Sequence, residues 1–163
     1  MYLSRPAEYA LRAMTYLART KPDVRVRTRD LAKATGVPPA FLAKIMRELT
    51  TKGLLDSQKG HNGGFLLARP ASEIRFIDVL RAVDFDPDSG HCLFGLGNCN
   101  AESPCPLHYE WAVLKEQIEK WASSHSLADP ELSVAGRQLT GKFSKEPRKT
   151  ASQTRHEPVS SAM

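Results

Sequence analysis

At 163 residues the chain has room for one ordinary globular domain with an appendage, and its 41% apolar and 25% charged shares exclude disorder throughout while allowing a modest core. No apolar run approaches the roughly 18 residues of a spanning helix, and the start, Met1-Tyr2-Leu3-Ser4-Arg5-Pro6, leads straight into a charged amphipathic pattern, so a cytoplasmic location without membrane contact is expected. The net charge of +5 is uneven: residues 1–60 hold twelve Lys/Arg against five Asp/Glu, residues 61–124 five against nine, and residues 125–163 six against four.

A cationic first part followed by a mildly acidic one points to polyanion contact by the first. From Ser4 to about Arg19, Ala7, Leu11, Met14 and Ala18, flanked by Ala10 and Leu17, recur at helical spacing, with Ser4 as cap and Pro6 in the first turn. A short extended piece at Val24 and Val26 follows. Thr28 is then expected to cap a two-turn helix with Asp30 in its first turn, Leu31 and Ala34 facing inward and Gly36 as its stop. Pro38-Pro39 opens a third helix that buries Leu42, Ile45 and Leu49, with Phe41 alongside, and ends at Gly53. Short helix, glycine turn and second helix are the pattern of a helix-turn-helix.

The exposed side of the third helix is expected to carry Pro39, Ala40, Ala43, Lys44 and Arg47. Small residues permit close entry into a major groove, and the two cations can bond phosphates or guanine acceptors. A solvated surface helix would look the same on those two cations alone. Two short strands, Leu54 to Gln58 and Phe65 to Ala68, then flank the tip Lys59-Gly60-His61-Asn62-Gly63-Gly64. The glycines allow positive φ and close backbone approach, and Lys59, His61 and Asn62 place donors at the end of a hairpin, as in a wing. A nucleotide-phosphate loop is disfavoured, because no Gly-Lys-Ser/Thr follows and the loop joins strand to strand. Thr28, Pro39, Ala40, Lys44, Arg47, Lys59, His61 and Asn62 are the candidate contacts to double-stranded DNA, and residues 1–83 form the expected DNA-binding unit.

Ser72 to Val83 reads as a fourth helix, capped by Ser72 and Glu73, with Ile74, Ile77 and Leu80 on one side. Residues 84–106 then form a long loop rich in Asp, Gly and Asn, of a length that function or a ligand usually explains. It carries all three cysteines, Cys92, Cys99 and Cys105, with His108 three residues on. Three cysteines in a reducing compartment suit a metal or redox site better than a disulfide framework. A C-x2-C knuckle of structural zinc is missing, and three soft thiolates with wide gaps suit an iron–sulfur cluster. Cys105, between Pro104 and Pro106 with Ser103 as cap, is expected at a helix start that favours a thiolate, with His108 one turn on. Over residues 104–124, Leu107, Trp111, Leu114, Ile118 and Trp121 form a heptad-like seam, read as a dimerisation helix because a helix-turn-helix protein needs a two-fold partner to read a palindromic site. From residue 125 to 163 apolar residues thin out, and a disordered tail is expected.

Together these features resemble the IscR/NsrR family of winged helix-turn-helix transcription regulators, many of which sense through an iron–sulfur cluster. The resemblance spans roughly residues 1–124. It rests on Glu8-Tyr9-Ala10-Leu11-Arg12-Ala13, Leu31-Ala32, Leu42, the wing Gly60-His61-Asn62-Gly63-Gly64-Phe65, Ile77-Asp78-Val79 and the three cysteines. It implies a mainly α fold with a small β-hairpin wing and a long dimerisation helix, a homodimer in which these helices cross, and a cluster held by Cys92, Cys99 and Cys105. For the fourth ligand the family offers two precedents. A histidine three residues after the last cysteine corresponds to His108, and an acidic residue in the first helix of the partner subunit corresponds to Glu8. The spacing does not decide between [2Fe-2S] and [4Fe-4S], the first being slightly favoured. The wing has Lys59-Gly60 where relatives often have Arg-Gly, and Ala43 stands where some relatives place a polar residue, so operator sequence does not transfer.

The expectation is a non-enzymatic regulator, in first place a repressor, whose operator affinity depends on a cluster that reports iron–sulfur status, redox state or nitric oxide. The alternative is a metal-free thiol–disulfide switch on the same fold. An enzyme using Cys105 and His108 as nucleophile and base is disfavoured, since an i, i+3 pair on one exposed turn lacks an orienting third group and a substrate pocket. A protein-binding winged helix would lack the steep salt dependence of phosphate contacts.

Overall fold

The computed structural model describes residues 3–60, 63–83, 92, 94, 95, 97 and 100–129. Its elements are α1 (Arg5–Ala18), α2 (Thr28–Thr35), α3 (Pro39–Thr51), β1 (Leu55–Gln58), β2 (Gly64–Leu67), a turn of 3-10 helix (Ala71–Glu73), α4 (Phe76–Ala82) and α5 (His108–Ser124). The fold is mainly helical with one antiparallel hairpin, as expected from sequence. Among the described residues no helix is long and apolar enough to cross a membrane.

Local chemistry accounts for the first three helices. Ser4, in extended conformation, accepts a hydrogen bond from the Ala7 amide on its Oγ, and Pro6 occupies the first turn, where no amide partner is needed. The buried stripe of α1 is Ala7, Ala10, Ala13, Met14, Thr15 and Leu17, while Leu11 and Ala18 lie at its edge, half-buried. Three alanines let α2, α3 and α4 approach α1 closely, and all three pack on it. In α2 the capping position is Arg27 and Thr28 is the first helical residue, so the helix begins one place earlier than the sequence suggested. With that start the buried face of α2 is Leu31, Ala32 and Thr35, and Ala34 is only half-buried. The buried Thr35 hydroxyl donates to the Leu31 carbonyl at 2.7 Å, so it is satisfied within the helix. Gly36 ends α2 at φ 68°, its amide bonding the Ala32 carbonyl at 3.0 Å. α3 buries Leu42, Ile45, Met46 and Leu49 and stops at Thr51, before Gly53. Phe41, expected alongside the core, is 62% exposed, with its ring in a T-shaped contact with Tyr9 at 6.3 Å.

The hairpin pairs Leu55 with Leu67 through Gln58 with Gly64. Val26 adds an isolated antiparallel bridge to Phe65. Gly63 and Gly64 are sterically required here. A Cβ on Gly63 would stand 2.3 Å from the Gln58 carbonyl oxygen, and one on Gly64, at φ 151°, would stand 2.7 Å from that of Val26.

α4 begins four residues later than the sequence suggested. Ser72 and Glu73 belong to the 3-10 turn, Ile74 is extended, and Asp78 serves as cap by accepting the Arg75 amide on Oδ2 at 2.9 Å. The cause is a long-range pairing: Leu127 donates to the Ile74 carbonyl at 3.0 Å, Phe76 to that of His125 at 3.0 Å, and Arg75 bridges Ser126. The chain after α5 therefore remains structured through Asp129, with Ser126 and Leu127 buried, where a tail was expected from residue 125. Ser126 Oγ donates to Asp129 Oδ1 at 2.8 Å, and this hydrogen bond holds the Asp129 carboxyl below its ordinary range. Residues 130–163 lie outside the described residues.

Candidate nucleic-acid interface and cysteine segment

The buried row of α3 turns its opposite face outward. Pro39, Ala40, Ala43, Lys44 and Arg47 are all exposed, and the Lys44 side chain is 79% accessible. Lys44 Nζ lies 3.7 Å from Glu48 Oε1, a long surface pair that solvent screens and a phosphate can displace. Lys44, Arg47 and Lys52, with Glu48, Thr51 and Ala82, line a cleft of about 310 Å³ beside the helix. Thr28 is half-buried at the start of α2. Lys59 is exposed at the end of β1. His61 and Asn62 lie outside the described residues.

Sequence reasoning missed three cations, Arg25, Arg27 and Arg29. The Val26 bridge brings the first two alongside the hairpin, and Arg25 Nη1 reaches the Asp56 carbonyl at 3.4 Å. Arg27 and Arg29 are exposed. Their signal in the sequence is the alternation of Arg25, Val26 and Arg27, charged-apolar-charged, which is the period of a strand.

Of the cysteines, Cys92 and Cys105 are half-buried, and Cys99 lies outside the described residues. The Cys92 carbonyl accepts from the Gly95 amide at 3.0 Å, and the Cys92 amide donates to the Gly97 carbonyl at 3.1 Å. Cys105 precedes α5 instead of starting it. Leu107 is the capping position, Ser103 makes no cap, and the Cys105 carbonyl accepts the His108 amide at 3.0 Å. His108 is thus the first residue of α5, half-buried, with its ring edge-on to Tyr109. Glu8 is half-buried on α1 and paired with Arg12 one turn on, and the Arg12 guanidinium lies 5.9 Å from the centre of the Tyr9 ring. Among the described residues no three His, Cys, Asp or Glu side chains are gathered as a metal site. On donor chemistry the set fits an iron–sulfur cluster, since soft thiolates are its usual ligands and imidazole or carboxylate can complete them.

α5 packs on α4, with Ala122 in the core, Trp121 edge-on to Phe76 at 5.7 Å, and Arg81 paired to Glu119 at 2.8 Å. The heptad-like seam divides. Trp111 and Ile118 are half-buried, whereas Leu107, Leu114 and Trp121 are 41–44% exposed. Tyr109 and Val113, which the seam left out, are the most exposed large apolar residues of the helix at 67% and 58%.

Comparison with known proteins agrees with this architecture. Residues 3–130 match the model of the Rrf2 family, described as an iron-dependent transcriptional regulator. An HTH-type transcriptional regulator of Mycobacterium tuberculosis is 40% identical over 140 residues, covering 85% of this chain and 84% of the relative. The HTH-type transcriptional regulator IscR of Photorhabdus laumondii is 33% identical over 143 residues, covering 85% and 87%. Among solved structures, CymR, the global cysteine regulator of B. subtilis, superposes with a TM-score of 0.68 at 19% identity, covering 82% of this chain and 98% of that one. IscR of T. potens does so with 0.66 at 24% identity, covering 85% and 91%. The family is one of regulators, not enzymes, and the chain belongs to the Rrf2 family of transcriptional regulators.

Proposed function

We propose that the protein is a homodimeric regulator that binds double-stranded DNA through the exposed face of α3 and the wing, and whose affinity for DNA is set by an iron–sulfur cluster. The observation that carries the DNA reading is that Pro39, Ala40, Lys44 and Arg47 share one exposed face on a helix whose other face is locked in the core. Small residues at the start of that face allow close approach to base edges, and the cations behind them reach acceptors or phosphates. The dimer reading is supported by the exposed apolar residues of α5, which a second copy would cover.

Cys92, Cys99 and Cys105 would hold the cluster, with His108 or Glu8 of the partner subunit as fourth ligand. When bound it would supply a centre that exchanges electrons and reacts with oxidants or nitric oxide. The protein's own residues link that segment to the DNA face. The segment follows the buried Val83, which comes directly after α4, and α4 packs on α1, α3 and α5. A rearrangement between α4 and α5 therefore biases the position of α3 through packed side chains, a local event with a two-state readout. The alternative, a metal-free thiol switch, uses the same cysteines. Metal analysis combined with mass spectrometry of thiol state under peroxide separates the two. Iron and sulfide in the isolated protein support the cluster, and disulfides forming in a metal-free protein establish the alternative.

A further inference from the structure

The bridge at Val26 gives the wing a one-residue third strand. Val26 donates to and accepts from Phe65, both at 2.9 Å, so in register Arg25 stands opposite Leu66 and Arg27 opposite Gly64, with Asp56 and Gln58 beyond them on β1. Arg25, Arg27, Asp23 and Gly63 line an open cleft of about 310 Å³ at the base of the wing tip. Two guanidinium groups against one carboxylate leave it cationic, and guanidinium forks match phosphate oxygens bidentately. Small-molecule sites are enclosed and mostly apolar; this cleft is shallow and polar, and it is continuous with the wing through Gly63. Such a place suits a charge on a long polyanion passing over the surface.

We propose that this cleft receives a backbone phosphate of double-stranded DNA, contacted by Arg27 with Arg25, and that it clamps the wing while α3 engages the groove; the proposal rests on the DNA-binding reading above. Arg25 also ties the third strand to β1 through the Asp56 carbonyl, and the test is made at Arg27, which is exposed beside Gly63 in the cleft. Full-length protein is titrated with a short duplex of random sequence over a series of NaCl concentrations. Arg27→Ala and the near-isosteric Arg27→Gln weaken binding several-fold and lower the slope of log affinity against log salt by about 0.9, one phosphate's worth. Arg27→Lys keeps the slope, and thermal melting confirms that all three variants are folded at the temperature of the titration. Wild-type slope and affinity in both Arg27→Ala and Arg27→Gln, with Arg47→Ala still impaired, overturns the clamp and leaves the DNA reading standing. Absence of salt-dependent duplex binding by the wild type overturns both.

Discussion

The carboxylate of Asp78 accepts the backbone amide of Arg75 at 2.9 Å and lies 3.4 Å from the Arg69 guanidinium. It thereby caps α4 at the point where the extended Ile74 gives way to helix. The Arg75 amide loses its partner in Asp78→Ala, at a cost of about 1 kcal/mol. The expected outcome in a thermal melt is a Tm lower by about 2–4 °C. Asp78→Asn, which keeps an acceptor, should recover most of it. An unchanged Tm in Asp78→Ala would show that α4 is set by packing alone.

Gly64 carries a steric prediction. A Cβ there meets the Val26 carbonyl oxygen at 2.7 Å, so Gly64→Ala must push the third strand off β2. Strain of this kind costs about 1–3 kcal/mol. DNA affinity should fall together with stability, because Arg25 and Arg27 move with Val26. Wild-type melting and affinity in this variant would contradict the bridge.

Lys44 and Arg47 are exposed on α3, so their truncation should leave melting unchanged. Loss of a base contact is expected to cost about 1–3 kcal/mol and relax specificity at one position, while loss of a phosphate contact weakens all sequences alike and lowers the salt slope by about 1. Comparing Lys44→Ala and Arg47→Ala on specific and random duplexes assigns each residue to one class. Wild-type affinity in both would remove α3 from the interface.

The exposed apolar row of α5 predicts the behaviour of Leu114→Glu. Leu114 is 44% exposed, so a charge there is harmless in a monomer but is buried unpaired in a dimer joined along α5. Sedimentation should show the dimer dissociation constant raised by about tenfold or more, equivalent to about 1.4 kcal/mol, with helicity unchanged. An unaffected dimer would place the two-fold contact on another face.

Features set by neighbouring residues were legible in the sequence. Ser4 before Pro6, Gly36 after a two-turn helix and Pro38-Pro39 before a hydrophobic period each act within a turn, and each stands where expected. Features set by distant pairings were not. Ser72 looks like a cap, yet Ile74 is drawn into extended pairing by Leu127, which moves the start of α4 to Phe76, where the Asp78 carboxylate caps it. The extended piece at Val24 and Val26 was legible, but that it sets Arg25 and Arg27 beside the hairpin follows only from the pairing of Val26 with Phe65. The seam of α5 is legible as a period, but which of its members face the same chain depends on α4, whose Phe76 takes up Trp121. The three thiols were identified by type and spacing, and Cys99 lies outside the described residues, so their assembly rests on chemistry.

Control of DNA binding by a cluster is tested by absorption spectroscopy with iron and sulfide assay of the protein isolated without oxygen, comparing the wild type with Cys92→Ala, Cys105→Ala, His108→Ala and Glu8→Ala, each followed by duplex titration. The expected result is a coloured wild type containing iron and sulfide, loss of both in the cysteine variants, and a spectrum altered by one of His108→Ala and Glu8→Ala, with duplex affinity shifting as the cluster is lost. A colourless wild type with zinc or no metal, whose duplex affinity is the same in every cysteine variant, would contradict it.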